Sequence, residues 1–354
     1  MEPADAIVKL GDPILVTGAA GFIGNCVVER LLVRGFRNVR CLVRPSSRTE
    51  KLEALGQRFR ETARLEIITG NLLSPRDCEA ATQDVALIYH LAAGTGTKSF
   101  PDAFMNSVVT TRNLLEATLR HQCLKRFVNL GSFAVYTNRN KPQGRVLDES
   151  CPVDEHPELR GEAYCYAKAK QDELIADYGK KRGIRYVILR PGVVYGPGKS
   201  AMIGRVGIGT FGIFLHLGGF NTIPLTYVEN CAEAIVLSGL RPGIDGEIIN
   251  VVDDELPTSR EILRRYKANV KSFRSIYVPG WICYLLFYAW EKYCSWSQEQ
   301  LPPVFNRRAW HAYWKGARYS NEKVKRVLGW SQGVSTAEGL KRYFEAARAA
   351  NRHA

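Results

Sequence analysis

At 354 residues, 45% hydrophobic and 24% charged, the chain has the balance of an ordinary folded protein, and its length allows one large core or two domains. A net charge of +14 raises nucleic acid or an anionic membrane as partners, but Lys and Arg are spread along the chain without a run of five or six. Solubility and local phosphate binding explain the charge better, and no nucleic acid partner is expected. Nine scattered cysteines with no C-x-x-C pair support neither a zinc ribbon nor a disulfide framework, and a reducing, cytoplasmic setting fits them best. The first dozen residues carry Glu2, Asp5, Lys9 and Asp12 and no apolar core of a secretory signal.

The chain opens with an apolar strand, Ile14-Leu15-Val16, that runs into Thr17-Gly18-Ala19-Ala20-Gly21-Phe22-Ile23-Gly24, followed by a helical pattern through Val27, Val28, Leu31 and Leu32. Glycines in such a turn let the backbone bend sharply and approach a pyrophosphate, while the helix N-terminus offers unpaired N–H groups and a positive dipole end. The turn therefore predicts a dinucleotide site. Strand-like runs follow at 39–43, 65–69, 86–91, 127–130 and 186–189, with helical patterns such as 26–34 and 107–121 between them. This alternation predicts an α/β, Rossmann-type doubly wound parallel sheet that binds its ligand at the strand carboxyl ends.

Beyond Pro197 the pattern turns irregular. The reading is a mainly NAD(P)-binding domain over 1–197 and a smaller substrate-binding lobe over 198–354, with the strand-like run 247–252 a candidate to rejoin the first domain. Gly207-x-Gly209-x-x-Gly212 fits the written dinucleotide fingerprint better than the N-terminal turn does. No strand is evident before it and no capped helix after it, so it is expected to be a flexible loop or helix-packing glycines. The apolar window 281–290 falls well short of the roughly 20 residues that span a bilayer. It reads either as a buried helix of the lobe or as a lid or interfacial helix making peripheral membrane contact, since Trp and Tyr stand at its ends with Arg274 and Lys292 outside.

Tyr164 and Lys168 stand four residues apart, on one face of a helix. A phenol titrates near pH 10 when unperturbed, and a nearby ammonium favours the phenolate, so Lys168 is expected to lower Tyr164 and activate it. Ser132, in Leu130-Gly131-Ser132-Phe133-Ala134-Val135-Tyr136, is a hydroxyl able to hold the reacting oxygen. Alone, such a spacing fits a solvated helix face better than a catalytic pair.

With these landmarks in order, and with Gly70-Asn71-Leu72, His90-Leu91-Ala92-Ala93, Asn106, Arg190 to Gly198, Tyr227-Val228-Glu229-Asn230 and Leu328-Gly329-Trp330 beside them, nearly the whole chain resembles the extended short-chain dehydrogenase/reductase superfamily, the NAD-dependent epimerase/dehydratases. The resemblance implies bound NAD or NADP and a catalytic Ser132, Tyr164 and Lys168. It also implies cofactor contacts from Gly18, Gly21, Phe22, Ile23, Gly24, Arg44, Asn71, Leu72, Leu91, Ala92, Ala93, Pro191 and Val193, besides Tyr164 and Lys168. Tyr166 and Lys170 repeat the spacing, but about 200° round the helix; the family's acidic residue four places after the lysine is matched by Asp172 for Lys168 and by Leu174 for Lys170. Tyr164 and Lys168 are therefore preferred.

Two departures from the family pattern bear on ligands. The second strand ends in Arg44, where NAD-users often carry an acid, and an arginine suits a 2′-phosphate, which favours NADP. Val193 replaces an asparagine common in nucleotide-sugar members, so an apolar alcohol or ketone is expected as the small-molecule substrate, in the manner of the 3β-hydroxysteroid dehydrogenase and dihydroflavonol reductase branches. A nucleotide-sugar epimerase or dehydratase, and a non-catalytic dinucleotide sensor, are the alternatives. The family implies a homodimer. His90 reads as a packed strand histidine, and no metal is expected.

Overall fold

The computed structural model describes residues 6–94, 99–139, 144–199, 202–210, 212–297, 300–301 and 305–352. Its centre is a seven-stranded parallel sheet of β1 (Ile14–Thr17), β2 (Asn38–Val43), β3 (Arg64–Thr69), β4 (Leu87–His90), β5 (Arg126–Leu130), β6 (Tyr186–Pro191) and β7 (Ile248–Val251). The order is β7-β6-β5-β4-β1-β2-β3, so the chain reverses direction between β1 and β4. That switch point is where a doubly wound sheet opens a crevice for a ligand. The strand at 248–251 joins this sheet, with Ile248 opposite Ile188 in β6.

β1 and β4 are buried at every position, as strands covered on both faces must be. α1 (Phe22–Val33), α2 (Glu50–Arg58), α3 (Pro75–Thr82), the short α4 (Phe100–Phe104), α5 (Thr110–Leu119), α6 (Ala163–Arg182) and α7 (Val228–Leu240) flank the sheet. On one face, Val27, Val28 and Leu31 of α1 and Ile235 and Val236 of α7 join Ile14, Val16 and Tyr89 in the largest core cluster. On the other, Leu114 and Leu115 of α5 and Ile175 of α6 pack over Leu15, Ile88 and Phe127. A π-helical turn, Met105–Val109, joins α4 to α5 and inserts one wider turn beside the crevice.

The C-terminal part of the chain adds α8 (Ser259–Asn269), α9 (Gly280–Trp296), α10 (Arg307–Tyr313), α11 (Glu322–Leu328) and α12 (Thr336–Arg352), of which α11 packs Val324 and Leu328 into the core of the central sheet. Thr258 and Glu261 form a reciprocal capping box at the start of α8. The second glycine run is neither a flexible loop nor helix packing: Gly207–Thr210 is a strand antiparallel to Ile213–Leu217. Its glycines serve that hairpin. A Cβ on Gly207 would stand 2.1 Å from the Leu215 carbonyl oxygen, and Gly212 occupies the turn at φ +74°.

α9 is longer than the apolar window suggested and is not a buried helix. Cys283, Phe287 and Cys294 face the lobe, whereas Trp281 (67%), Leu285 (53%), Leu286 (56%) and Trp296 (79%) are exposed. Among the described residues, no helix is long and apolar enough to cross a membrane.

Candidate active site

The crevice at the strand carboxyl ends is a cavity of about 690 Å³. The turn after β1 forms its floor because only glycine fits there. Gly18 has φ +70°, and a Cβ on it would lie 2.8 Å from the Ala92 amide nitrogen; one on Gly24 would lie 2.2 Å from the Gly18 carbonyl oxygen. No side chain caps the N-terminus of α1, so its first N–H groups remain available to a phosphate.

Gly18, Gly21, Phe22, Ile23, Gly24, Arg44, Asn71, Leu72, Leu91, Ala92, Ala93, Pro191, Ser132, Tyr164 and Lys168 all line this one cavity. Val193 does not. The chain leaves β6 through Gly192 into the short strand Val193–Tyr195, which pairs with Leu225–Tyr227; Val193 is half-buried and packs against the cluster of Tyr195 and Leu225, and Gly192 and Val194 line the cavity instead. Ser47, Arg48 and Lys199 also line it and were not anticipated. Lys199, two residues past Pro197, stacks its ammonium 5.3 Å from the Phe22 ring centroid, and that glycine-flanked basic position was the signal available for it. Arg44 and Arg48 are exposed at the groove's edge, and neither forms an ion pair with a carboxylate among the described residues.

Ser132 leaves the end of β5 with its Oγ accepting the Ala134 N–H at 3.1 Å, which fixes the hydroxyl at the cavity wall. Tyr164, half-buried in the first turn of α6, lines the same cavity as Ser132. The expected lowering of the phenol by Lys168 is not what the structure has. Burial raises Tyr164 above its ordinary value, and the Ser132 contact opposes that only in part. The reason is where the ammonium points: Lys168 Nζ donates to the Leu130 carbonyl at 2.6 Å and to Gln171 Oε1 at 2.8 Å. Burial pulls the lysine itself down to about 8, with the Asp172 carboxylate opposing.

Asp172 anchors the helix from below. Its carboxylate accepts from Arg190 Nε of β6 at 2.9 Å and from Asn129 Nδ2 of β5 at 3.4 Å, all inside the core. Tyr166 and Lys170 lie on another face: Tyr166 meets Phe100 edge-on at 5.5 Å, and Lys170 pairs with Glu173 at 2.8 Å. His90 is buried between two hydroxyls, Thr17 at Nδ1 and Thr111 at Nε2, each at 2.8 Å, and burial pushes it down to about 3. It stays neutral and inside the core. All nine cysteines are free, and no group of three His, Cys, Asp or Glu among the described residues could hold a metal ion.

Such a groove can hold a dinucleotide along its glycine turn and present one end of it to a hydroxyl pair and an ammonium. Comparison with known proteins agrees. The profile of the NAD-dependent epimerase/dehydratase family matches residues 14–251. Cinnamoyl-CoA reductase 1 of Oryza sativa subsp. japonica is 30% identical over 52% of this chain and 54% of its own length, so the chain matches about half of that relative. The 2-alkyl-3-oxoalkanoate reductase of Shewanella oneidensis is 25% identical over 96% of this chain and 87% of its own. In fold, the UDP-glucuronic acid 4-epimerase of Bacillus cereus, solved with UDP-glucuronic acid and NAD, superposes with a TM-score of 0.71 at 24% identity, over 96% of this chain and 99% of that one. The glycine turn, the switch-point cavity and the profile match agree: the chain is an NAD(P)-dependent enzyme that belongs to the NAD-dependent epimerase/dehydratase family.

Proposed function

We propose that the protein is a reductase that passes hydride from NAD(P)H to the ketone carbon of an apolar substrate, with Tyr164 delivering the proton to the developing alkoxide and Ser132 holding that oxygen. The observation that carries the reading is the placement of Ser132 and Tyr164 in the same cavity as the glycine turn. A phenol kept protonated by burial is the form that carbonyl reduction needs, because the reacting oxygen gains a proton as the carbon gains hydride. The cofactor supplies the hydride when bound; the chain binds it, orients it and supplies the proton. The relatives named as reductases, two of which are reductases of 2-alkyl-3-oxoalkanoates matched over nearly all of this chain, support an apolar ketone.

Turnover of a 2-alkyl-3-oxoalkanoate, a sterol ketone, a dihydroflavonol and a UDP-sugar, each with NADPH and with NADH, tests this directly. Net oxidation of NAD(P)H with one of the first three is expected. Conversion of the UDP-sugar without net cofactor consumption would replace the reading with an epimerase, which returns its hydride. Arg44 and Arg48 at the end of β2 support NADPH over NADH, since a 2′-phosphate would meet guanidinium groups and no carboxylate there. Arg44→Asp is expected to raise the KM for NADPH about tenfold or more and to leave that for NADH within about twofold, the loss of one charged hydrogen bond. Equal effects on both cofactors would defeat the NADPH assignment.

The exposed Trp281, Leu285, Leu286 and Trp296 of α9, on a chain of net charge +14, support contact with an anionic membrane surface. Co-sedimentation with phosphatidylglycerol vesicles is expected, and a Leu285→Ser, Leu286→Ser variant should release the protein. Wild-type protein that stays in the supernatant ends this proposal.

A further inference from the structure

Gln171 lies three residues beyond Lys168, fully buried, and its two amide atoms face two different parts of the site. Oε1 accepts from Lys168 Nζ at 2.8 Å; Nε2 donates to Thr111 Oγ1 at 2.7 Å. The amide orientation is forced, because an ammonium can only donate. Thr111 Oγ1 has one proton, and it goes to the Ser107 carbonyl at 2.5 Å, an acceptor only. The third neighbour of that hydroxyl, His90 Nε2 at 2.8 Å, must therefore be a donor, which assigns the neutral histidine its Nε2–H tautomer. Its bare Nδ1 accepts from Thr17 Oγ1, and Thr17 Oγ1 accepts the Ala92 N–H at 3.4 Å. Each contact has one possible direction, and the chain of contacts ends at Ala92, in the cavity wall against Gly18.

We propose that Gln171 is a positioning residue of this site: its amide holds the Lys168 ammonium and ties it, through Thr111, His90 and Thr17, to the strand ends that form the cofactor groove. The inference rests on the reading of Tyr164 and Lys168 given above. Of the three N–H bonds of Lys168, the Leu130 carbonyl and Gln171 take two, leaving one for the cavity that Lys168 lines. Gln171 thus sets both the direction of the remaining N–H and the ease with which the lysine keeps its proton. The other charged or titratable groups around it are Tyr164 and Asp172 on α6, Arg190 of β6 paired with Asp172, and the neutral His90 of β4.

NADPH binding, followed by the fluorescence of the nicotinamide between pH 6 and 10, tests this without turnover. Wild-type affinity should break downward as the lysine, lowered to about 8 by burial, loses its charge. Gln171→Leu withdraws an acceptor and should move the break about one pH unit lower; Gln171→Glu, of the same size, adds a negative charge and should move it at least as far upward. A wild type without a break, or a break unmoved in both variants while only the melting temperature falls, overturns the proposal. Should the leucine variant fail to fold, the glutamate variant decides alone. Tyr164→Phe, assayed for turnover beside them, separates the two claims: if it remains active the catalytic reading falls, whereas an unmoved break removes only the role of Gln171.

Discussion

Tyr164→Phe is expected to lower kcat by about 10³-fold or more while leaving NAD(P)H binding within a few-fold of wild type, because general acid transfer by a positioned group contributes about 10² to 10⁴. The ring remains to fill its place in the first turn of α6, so only the hydroxyl and its proton disappear. The geometry also predicts how pH acts on the wild type. With the phenol raised by burial, the reductive direction should hold its rate through neutrality and fall only where Lys168 or the phenol loses its proton, on the alkaline side. Oxidation of the corresponding alcohol needs the phenolate and should rise with pH over the same range. A Phe variant retaining a tenth of wild-type kcat would show that another group delivers the proton. Ser132→Ala should be milder, costing about 10- to 100-fold, since it removes one hydrogen bond to the reacting oxygen and leaves the acid in place.

What could be read from the chain alone was whatever is local. The strand, three glycines and helix of 14–33 are contiguous, so their phosphate-binding geometry is written in one stretch, and the i, i+4 spacing of Tyr164 and Lys168 fixes a shared face before any tertiary contact forms. What escaped depends on partners far away in sequence. The lysine was expected to act on the phenol because spacing alone brings them near, but its hydrogen bonds go to Leu130 in β5 and to Gln171. Gln171 and Thr111 are neutral polar residues on helices, a pattern that reads as solvent-facing until the fold buries both completely. Val193 is half-buried against Tyr195 and Leu225, while its neighbours Gly192 and Val194 line the cavity, and nothing local in an extended segment tells these positions apart. The hairpin at Gly207 was hidden because glycines required by close strand approach look like glycines of a loop, and the exposed face of α9 because an apolar sequence alone does not say which side is covered.

The largest stability effect should come from His90. Burial holds its folded value at about 3, against 6.5 for the ordinary group. The sign follows from linkage: between those values the unfolded chain binds the proton that the folded chain refuses, so stability is fully present above about 6.5 and is lost as the pH falls toward 3. At pH 5 the loss is about 2 kcal/mol, from roughly 1.36 kcal/mol for each unit below 6.5. The raw profile will not display this alone. Asp253, buried against Asn230 and Tyr227 and pushed up to about 6, takes up a proton more readily when folded and so gains stability over part of the same range. Subtracting a His90→Gln variant isolates the histidine, since glutamine can donate and accept but does not titrate. At pH 8 the variant should be the less stable, by about 1 to 3 kcal/mol for a disturbed buried pair of hydrogen bonds. The gap should then shrink by about 2 kcal/mol at pH 5, because only the wild type has an imidazole that the unfolded chain protonates and that the fold, enclosing it between Thr17 and Thr111, keeps neutral. Urea unfolding midpoints at the two pH values measure it, and a gap that stays constant would mean that His90 accepts its proton within the fold, with Thr17 turning to receive it.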